Sequence, residues 1–309
     1  MLTQHWPSAR STGMKKIGFL FIRSIAQLLG FLPMRLLYLL ADIVYVIAYY
    51  ILRYRLQVVR RNLSFSFPEK SKKALRSIEK QFYHQLSDLL VEYIKMTQIS
   101  EQELAERITF ENPELLNQLA NDNKSVFLAL GHCGNWEWFS RALHLSLKHR
   151  PVAMYKRLSN PYFDDFVKAI RAGKGALTLI ESKTAYRSLK QLNDKLNAVV
   201  ILGDQSPSGK DQDYWTDFLN QETPFFNGLE KMAKALDYAV VFLENRRVKR
   251  GYYKLVITPI TTDPKITSTN YITERYARLL EQTIVNNPAN WLWSHRRWKH
   301  QRNNIQAYA

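Results

Sequence analysis

SVFLALGHCGNWEW, residues 125–138, passes from an unbroken apolar run to a histidine set between Gly131 and Gly134, with Glu137 close behind. An apolar run of this length bounded by glycine predicts a strand buried on both faces. Asn135 is a helix-capping residue, so a helix is predicted from Asn135 to about Lys148, with Glu137 in its first turn beside the positive end of the dipole. His132 then stands just past a strand end, where open α/β sheets gather reactive groups. The two glycines let the backbone turn sharply and let a ligand approach. A fold-back of the loop would bring Glu137 against the imidazole, fixing its tautomer and raising its basicity, which prepares a general base. A structural histidine capped by a local acid fits the same spacing.

Outward from this stretch, short apolar runs alternate with helical segments. Strands are predicted at 151–155, 176–180, 198–202, 239–243 and 252–260. Helices are predicted from Asn160-Pro161 to Arg171, at 183–193, 227–236 and 270–285, with Gly173 and Gly175 as breaks and a polar loop at 203–213. Before them, apolar residues at steps of three and four between Pro68 and Thr97 mark a long amphipathic helix. Ser100 with Glu103 forms a capping box, and Asn112-Pro113 starts a further helix. Strand–helix alternation predicts an α/β fold, a mixed sheet flanked by helices.

The 309 residues carry a net charge of +17, of which +8 falls in residues 1–62 and +4 in residues 291–309. Nucleic acid, anionic lipid and acidic proteins would all be drawn to such ends. No nucleic-acid-binding motif is present, so nucleic acid is not an expected partner. One cysteine, Cys133, excludes an internal disulfide framework and a cysteine-rich metal site. Its adjacency to His132 does not make a thiol–imidazole pair, since catalytic pairs are spatial rather than sequential neighbours. His132 and Glu137 lack a third ligand nearby, so neither a metal nor another cofactor is expected.

The N-terminal segment points to lipid. Residues 17–32 are apolar apart from Arg23, Pro33 interrupts, and LLYLLADIVYVIAYYIL (36–52) has Asp42 as its one charge. This is near the lower limit for a span, and arginines follow at once. The expectation is an N-terminal hydrophobic membrane-anchoring helix within residues 1–60, spanning or lying in the interface, ahead of a catalytic domain at 61–309. A core helix of a soluble protein passes the same length test.

Further stretches carry a resemblance. His132 and Glu137 match the His-x-x-x-x-Asp/Glu motif of the glycerolipid acyltransferase superfamily. GHCGNWE, with Asn-Trp before the acid, resembles the lipid A late acyltransferases, the lauroyl and myristoyl transferases. VAMYKRLSNPYFDDFVKAIRAGKG, GDQSP (203–207), TPFFNG (223–228) and WLWSHRRWK (291–299) are similar to later blocks of that family, in the same order. Lys156-Arg157 stands where the family has Tyr followed directly by Arg, and the Phe-Pro-Glu-Gly block of the glycerol-phosphate branch is absent.

The resemblance implies acyl transfer from an acyl thioester, usually on acyl carrier protein, to a hydroxyl of an anionic lipid acceptor, a lipid A precursor. It implies His132 as general base with Glu137 orienting it, at the inner membrane with the catalytic domain facing the cytoplasm. Asn135, Lys156, Arg157, Arg171, Asp204 and Gln205 are the candidate substrate-binding residues, the cations for phosphate. Backbone amides at Gly134 and Asn135 are candidate oxyanion donors. Phe225-Phe226 reads as core, and the tryptophans and cations of 291–299 as a headgroup or carrier-protein contact. The same chemistry on a glycolipid, lysophospholipid or amino-acid lipid, and a non-catalytic protein that binds anionic lipid, stay open.

Overall fold

A computed structural model describes residues 9–173, 177–192, 194–208, 212, 214–300 and 302. Two apolar helices lead, α1 (Ala9–Gly30) and α2 (Met34–Val46), and α2 runs on as a π-helical turn through Ile51. Pro33 separates them. It is compatible with the residue before a helix but not with continuing one. There follow α3 (Leu56–Ser66), α4 (Lys72–Lys95), α5 (Glu101–Arg107), β1 (Ile108–Phe110) and α6 (Glu114–Asn121). Ser100 caps α5 as its spacing predicts, accepting from the Glu103 amide at 3.0 Å.

The α/β body then runs β2 (Val126–Leu130), α7 (Trp136–Ala142), β3 (Arg150–Tyr155), α8 (Pro161–Ala172), β4 (Thr178–Glu181), α9 (Ala185–Gln191) and β5 (Asn197–Leu202). It continues with β6 (Tyr214–Phe218), β7 (Gln221–Phe225), α10 (Gly228–Leu236), β8 (Ala239–Lys249), β9 (Tyr252–Thr261) and α11 (Tyr271–Asn286). Helix α7 is shorter than expected and ends in a 3-10 turn at Leu143–Leu145. Gly175, one predicted break, and Ala176, the first residue of a predicted strand, lie outside the described residues, as do positions 209–211 and 213 of the predicted loop.

Seven strands form one mixed sheet in the order β1-β9-β8-β2-β5-β3-β4, with β8–β9 its antiparallel pair. Side chains alternate across it. Phe127 and Ala129 of β2 join Val199 and Ile201 of β5 on one face, while Val126, Leu128, Ala198 and Val200 pack on the other. Both faces are therefore covered, and β2 and β5 lie in the middle, where the strands read as continuous apolar runs.

Helix α4 departs from its apolar pattern. Its buried face includes Glu79, Asp88, Glu92 and Lys95 as well as Phe82 and Tyr83. Each of these charges is paired or hydrogen-bonded, as burial requires. Asp88 bonds Arg247 and Arg250, Lys95 donates to the Gly30 and Leu32 carbonyls, and Glu79 takes Arg60 and Tyr49.

Candidate active site

Strands β2 and β5 are parallel neighbours with Leu130 opposite Leu202. Each is followed by a glycine and then by a polar residue, His132 after one and Asp204 after the other. The register alone therefore sets these two side chains beside each other at the carboxyl ends of central strands. The glycines make room: a Cβ at Gly131 would lie 3.3 Å from an Asp204 oxygen, and one at Gly203 would press on the Tyr276 ring at 3.1 Å.

Asp204 holds the histidine twice. Its Oδ1 lies 2.6 Å from His132 Nδ1, and its Oδ2 accepts the His132 backbone amide at 2.8 Å. Trp291 Nε1 donates to Oδ2, also at 2.8 Å. Asp204 is buried, which by itself pushes a carboxyl up. The positive charge available on His132 and these three hydrogen bonds outweigh burial and bring it down to about 2. Asp204 is thus an ionised acceptor for Nδ1–H, leaving Nε2 as the basic nitrogen. Nε2 receives the Gln205 amide at 3.3 Å, and the edge of Trp136 lies across the ring.

The expected His132–Glu137 pairing is not what the fold builds. Glu137 sits in the first turn of α7 and takes both guanidinium branches of Arg171 from α8, Nε at 2.8 Å. Helix α7 starts only after the chain has turned at Gly134, so the carboxylate points away from the imidazole towards α8. Gly134 has φ +59, where L residues are strained, and a Cβ there would lie 2.9 Å from Asn245.

Three further expectations need correction. Asn135 is not open to a substrate, because its Oδ1 caps α7 at the Trp138 amide and its Nδ2 donates to buried Glu92 at 2.7 Å. Asp204 is buried and faces His132 rather than a substrate. The Gly134 amide, a proposed oxyanion donor, is spent on the Asn290 carbonyl at 3.1 Å.

The C-terminal aromatic-basic segment is a surface patch only in part, with Arg296 and Lys299 exposed. Trp291, Trp293 and Arg297 are fully or almost fully buried. Leu292 donates to the His132 carbonyl, and Cys133 forms a β-bridge with Trp291, so this segment straps the histidine loop in place. Arg297 lies over the Phe225 ring at 4.6 Å and donates to the Pro224 carbonyl. Burial draws its guanidinium down to about 10, with Asp204 and Tyr276 opposing. Cys133 is buried and its thiol is pushed well up, so it is not a nucleophile.

His132 opens into a cavity of about 1010 Å³, at the upper end of the small-molecule range. Its walls are apolar side chains of β3, β5 and α10, such as Met154, Val200, Ile201 and Met232. Its polar groups include Glu137, Lys156, Arg171 and Gln205. Arg157 is exposed and does not line it, which leaves Lys156 as the cation of that pair at the cavity. Phe225 is core as expected, whereas Phe226 is half exposed at the cavity wall.

Sequence reasoning missed Tyr276 and Glu92, and gave Trp291 a headgroup or carrier-protein contact where the structure has it bonded to Asp204. Tyr276 fastens the ends of β2 and β5 by donating to the Leu130 carbonyl and accepting the Gly203 amide. Glu92 is completely buried and receives Tyr38, Tyr253 and Asn135; burial raises its carboxyl above the ordinary range. A signal was present for Glu92, a carboxylate spaced on α4 one turn from buried Asp88.

His295 is lowered by burial to about 4, and burial also lowers His149. The folded chain thus takes up protons on these histidines less readily than the unfolded chain, whose histidines protonate near 6.5. The unfolded state binds more protons in this window, so stability is full above pH 6.5 and falls as pH drops towards 4. Thermal unfolding between pH 7.5 and 5 is expected to show a steadily lower Tm, and a flat profile would contradict the lowering of these histidines.

A histidine backed by an ionised carboxylate, opening into a large cavity with apolar walls on an α/β sheet, is an arrangement suited to general-base chemistry beside a bound ligand. The family model of bacterial lipid A biosynthesis acyltransferases matches residues 9–300, and the chain belongs to that family. It is an acyltransferase. No curated protein matches the chain at a significant level.

Proposed function

We propose that the chain moves a fatty acyl group from a thioester on acyl carrier protein to a hydroxyl of a lipid A precursor. It does so at the inner membrane, with its catalytic body facing the cytoplasm. The observation that carries the reading is the His132–Asp204 pair, with Nε2 turned to the cavity and Nδ1 held at 2.6 Å.

The acceptor hydroxyl replaces the Gln205 amide at Nε2. As its oxygen bonds to the thioester carbonyl carbon, Nε2 takes the hydroxyl proton, and Asp204 stabilises the imidazolium, as the aspartate does in a serine-hydrolase triad. The tetrahedral intermediate collapses, the carbon–sulfur bond breaks, and the departing thiolate takes the proton from Nε2. The cavity's apolar walls suit an acyl chain, and Lys156 suits an acceptor phosphate. Glu137 acts by holding Arg171 and the α7–α8 wall rather than by touching the imidazole. Setting hydroxyl and thioester side by side supplies much of the rate.

Solubilised wild type and His132→Ala are to be incubated with acyl carrier protein thioesters and a tetra-acylated lipid A precursor, with products read by mass spectrometry. The expected result is one added acyl chain with wild type and a loss of at least about 1000-fold in the variant. His132-dependent loss of thioester without change to that precursor would move the proposal to another lipid acceptor. Turnover that survives the substitution would remove it.

A further inference from the structure

Glu92 of α4 is a buried carboxylate that the mechanism above does not use. It has 0% exposure, and donors from three other elements converge on it. Its Oε1 accepts the Tyr38 hydroxyl of α2 at 2.8 Å, and its Oε2 accepts the Tyr253 hydroxyl of β9 and Asn135 Nδ2, each at 2.7 Å. Two of the residues it bonds, Trp138 and Tyr253, belong to the apolar cluster on this face of the sheet. Taking a charge out of water in such a place is costly, and apolar packing of the same volume would hold the fold as well. What the carboxylate adds is direction. All of its side-chain partners donate, and only a group that purely accepts satisfies the three together.

Of these donors, Asn135 leads to the site. Its Oδ1 accepts the Trp138 amide at 2.8 Å and so caps α7, while Trp138 Nε1 donates to the Glu92 carbonyl at 2.9 Å. Glu92 therefore holds the first turn of α7 twice, through the cap and through the indole. Asn135 also closes the four-residue turn that begins at His132. At the opening end, Asp204 takes the His132 amide and ring. Between the two the chain passes through Gly134 at φ +59, and it then leads straight into Trp136, whose ring lies 4.9 Å from the imidazole. Each end of the turn is thus fixed by a buried carboxylate from a different element, Asp204 after β5 and Glu92 within α4.

We infer that Glu92 is a positioning residue for the transfer reaction: through Asn135 it sets the far end of the 132–135 turn, and with it Trp136 against the imidazole and His132 Nε2 at the cavity. It touches neither the substrate nor His132. The inference rests on His132 as the base proposed above and adds a second carboxylate to its support.

The test uses the full chain. In Asn135→Ser the cap on α7 is kept, since serine caps as well as asparagine, but the side chain is too short to reach Glu92. In Glu92→Gln an amide meets the Asn135 amide and the bond is lost. Both are expected to lower kcat per folded molecule about 10–100-fold with KM within about threefold, the effect of a small misplacement of the base. Glu92→Gln combined with Asn135→Asp exchanges donor and acceptor and is expected to recover kcat to within about fivefold of wild type. Tyr38→Phe removes the donor at Oε1 and leaves Asn135 alone, so Tm is expected to fall while kcat holds. The ring-proton shifts of His132, which feel the Trp136 ring current, are expected to move in the first two variants and to stay in Tyr38→Phe. Unchanged kcat and shifts in Asn135→Ser, no recovery in the exchanged pair, or a loss in Tyr38→Phe as large as in Glu92→Gln overturns the inference. Should Glu92→Gln not fold, Asn135→Ser and Tyr38→Phe decide it. Wild type that transfers no acyl chain would remove the proposed function, and the His132 shifts would still test the positioning.

Discussion

Asp204→Asn is expected to lower kcat by about 10³–10⁴-fold while the protein stays folded. An asparagine keeps the shape but presents a neutral amide to His132, so Nδ1 loses its charged acceptor and the imidazolium its counter-charge. The backbone amide of His132 and the Trp291 indole lose a charged acceptor as well, which costs some stability. The informative reading is the split between parameters. Loss in kcat with little change in KM identifies an interaction made in the transition state. A variant with more than a tenth of wild-type activity would show that Asp204 does not serve the histidine.

Glu137→Ala is expected to fail by another route. The change leaves the Arg171 guanidinium without its partner between α7 and α8, at a cost of roughly 2–3 kcal/mol. That is below the cost for a fully buried pair, because Arg171 retains 29% side-chain exposure. The loss of activity should appear largely in KM, as a wall of the cavity shifts. Because the two residues act as a unit, Glu137→Ala with Arg171→Ala should be no worse than either single change, and more stable than Glu137→Ala alone. Thermal unfolding and initial rates on the four proteins check this. Additive losses would give Glu137 a role of its own.

These two expectations mark the limit of what the chain's linear order discloses. The central strands were legible because β2, and β5 after Asn197, are apolar runs that stop at glycine. His132, Lys156, Arg171 and Gln205 were named from sequence and line the cavity. The partner of His132 was not legible, although Asp204 was singled out. The pairing depends on Leu130 standing opposite Leu202, a non-local register that spacing does not encode. Glu137 drew attention because it is near in sequence, and Gly134 then turns the chain so that proximity is lost.

The β6–β7 hairpin was missed for a local reason. Its two-residue turn is Leu219-Asn220, both at positive φ, where Asn-Gly would have been the signal. The final segment misled by composition. Trp291, Trp293 and Arg297 look like surface anchors, yet the sheet's open end needs a cover, and an arginine over Phe225 provides part of it. Buried charges on α4 moved its core face for the same reason: pairing across the structure overrides apolar periodicity.

The claim at the centre is that His132 is served by Asp204 and not by Glu137. Proton NMR on protein labelled with ¹⁵N-histidine tests it directly, with His132→Ala supplying the assignment. The account predicts a low-field Nδ1 proton on His132 that persists in Glu137→Gln and vanishes in Asp204→Asn. A resonance that survives in Asp204→Asn and is lost in Glu137→Gln would contradict it.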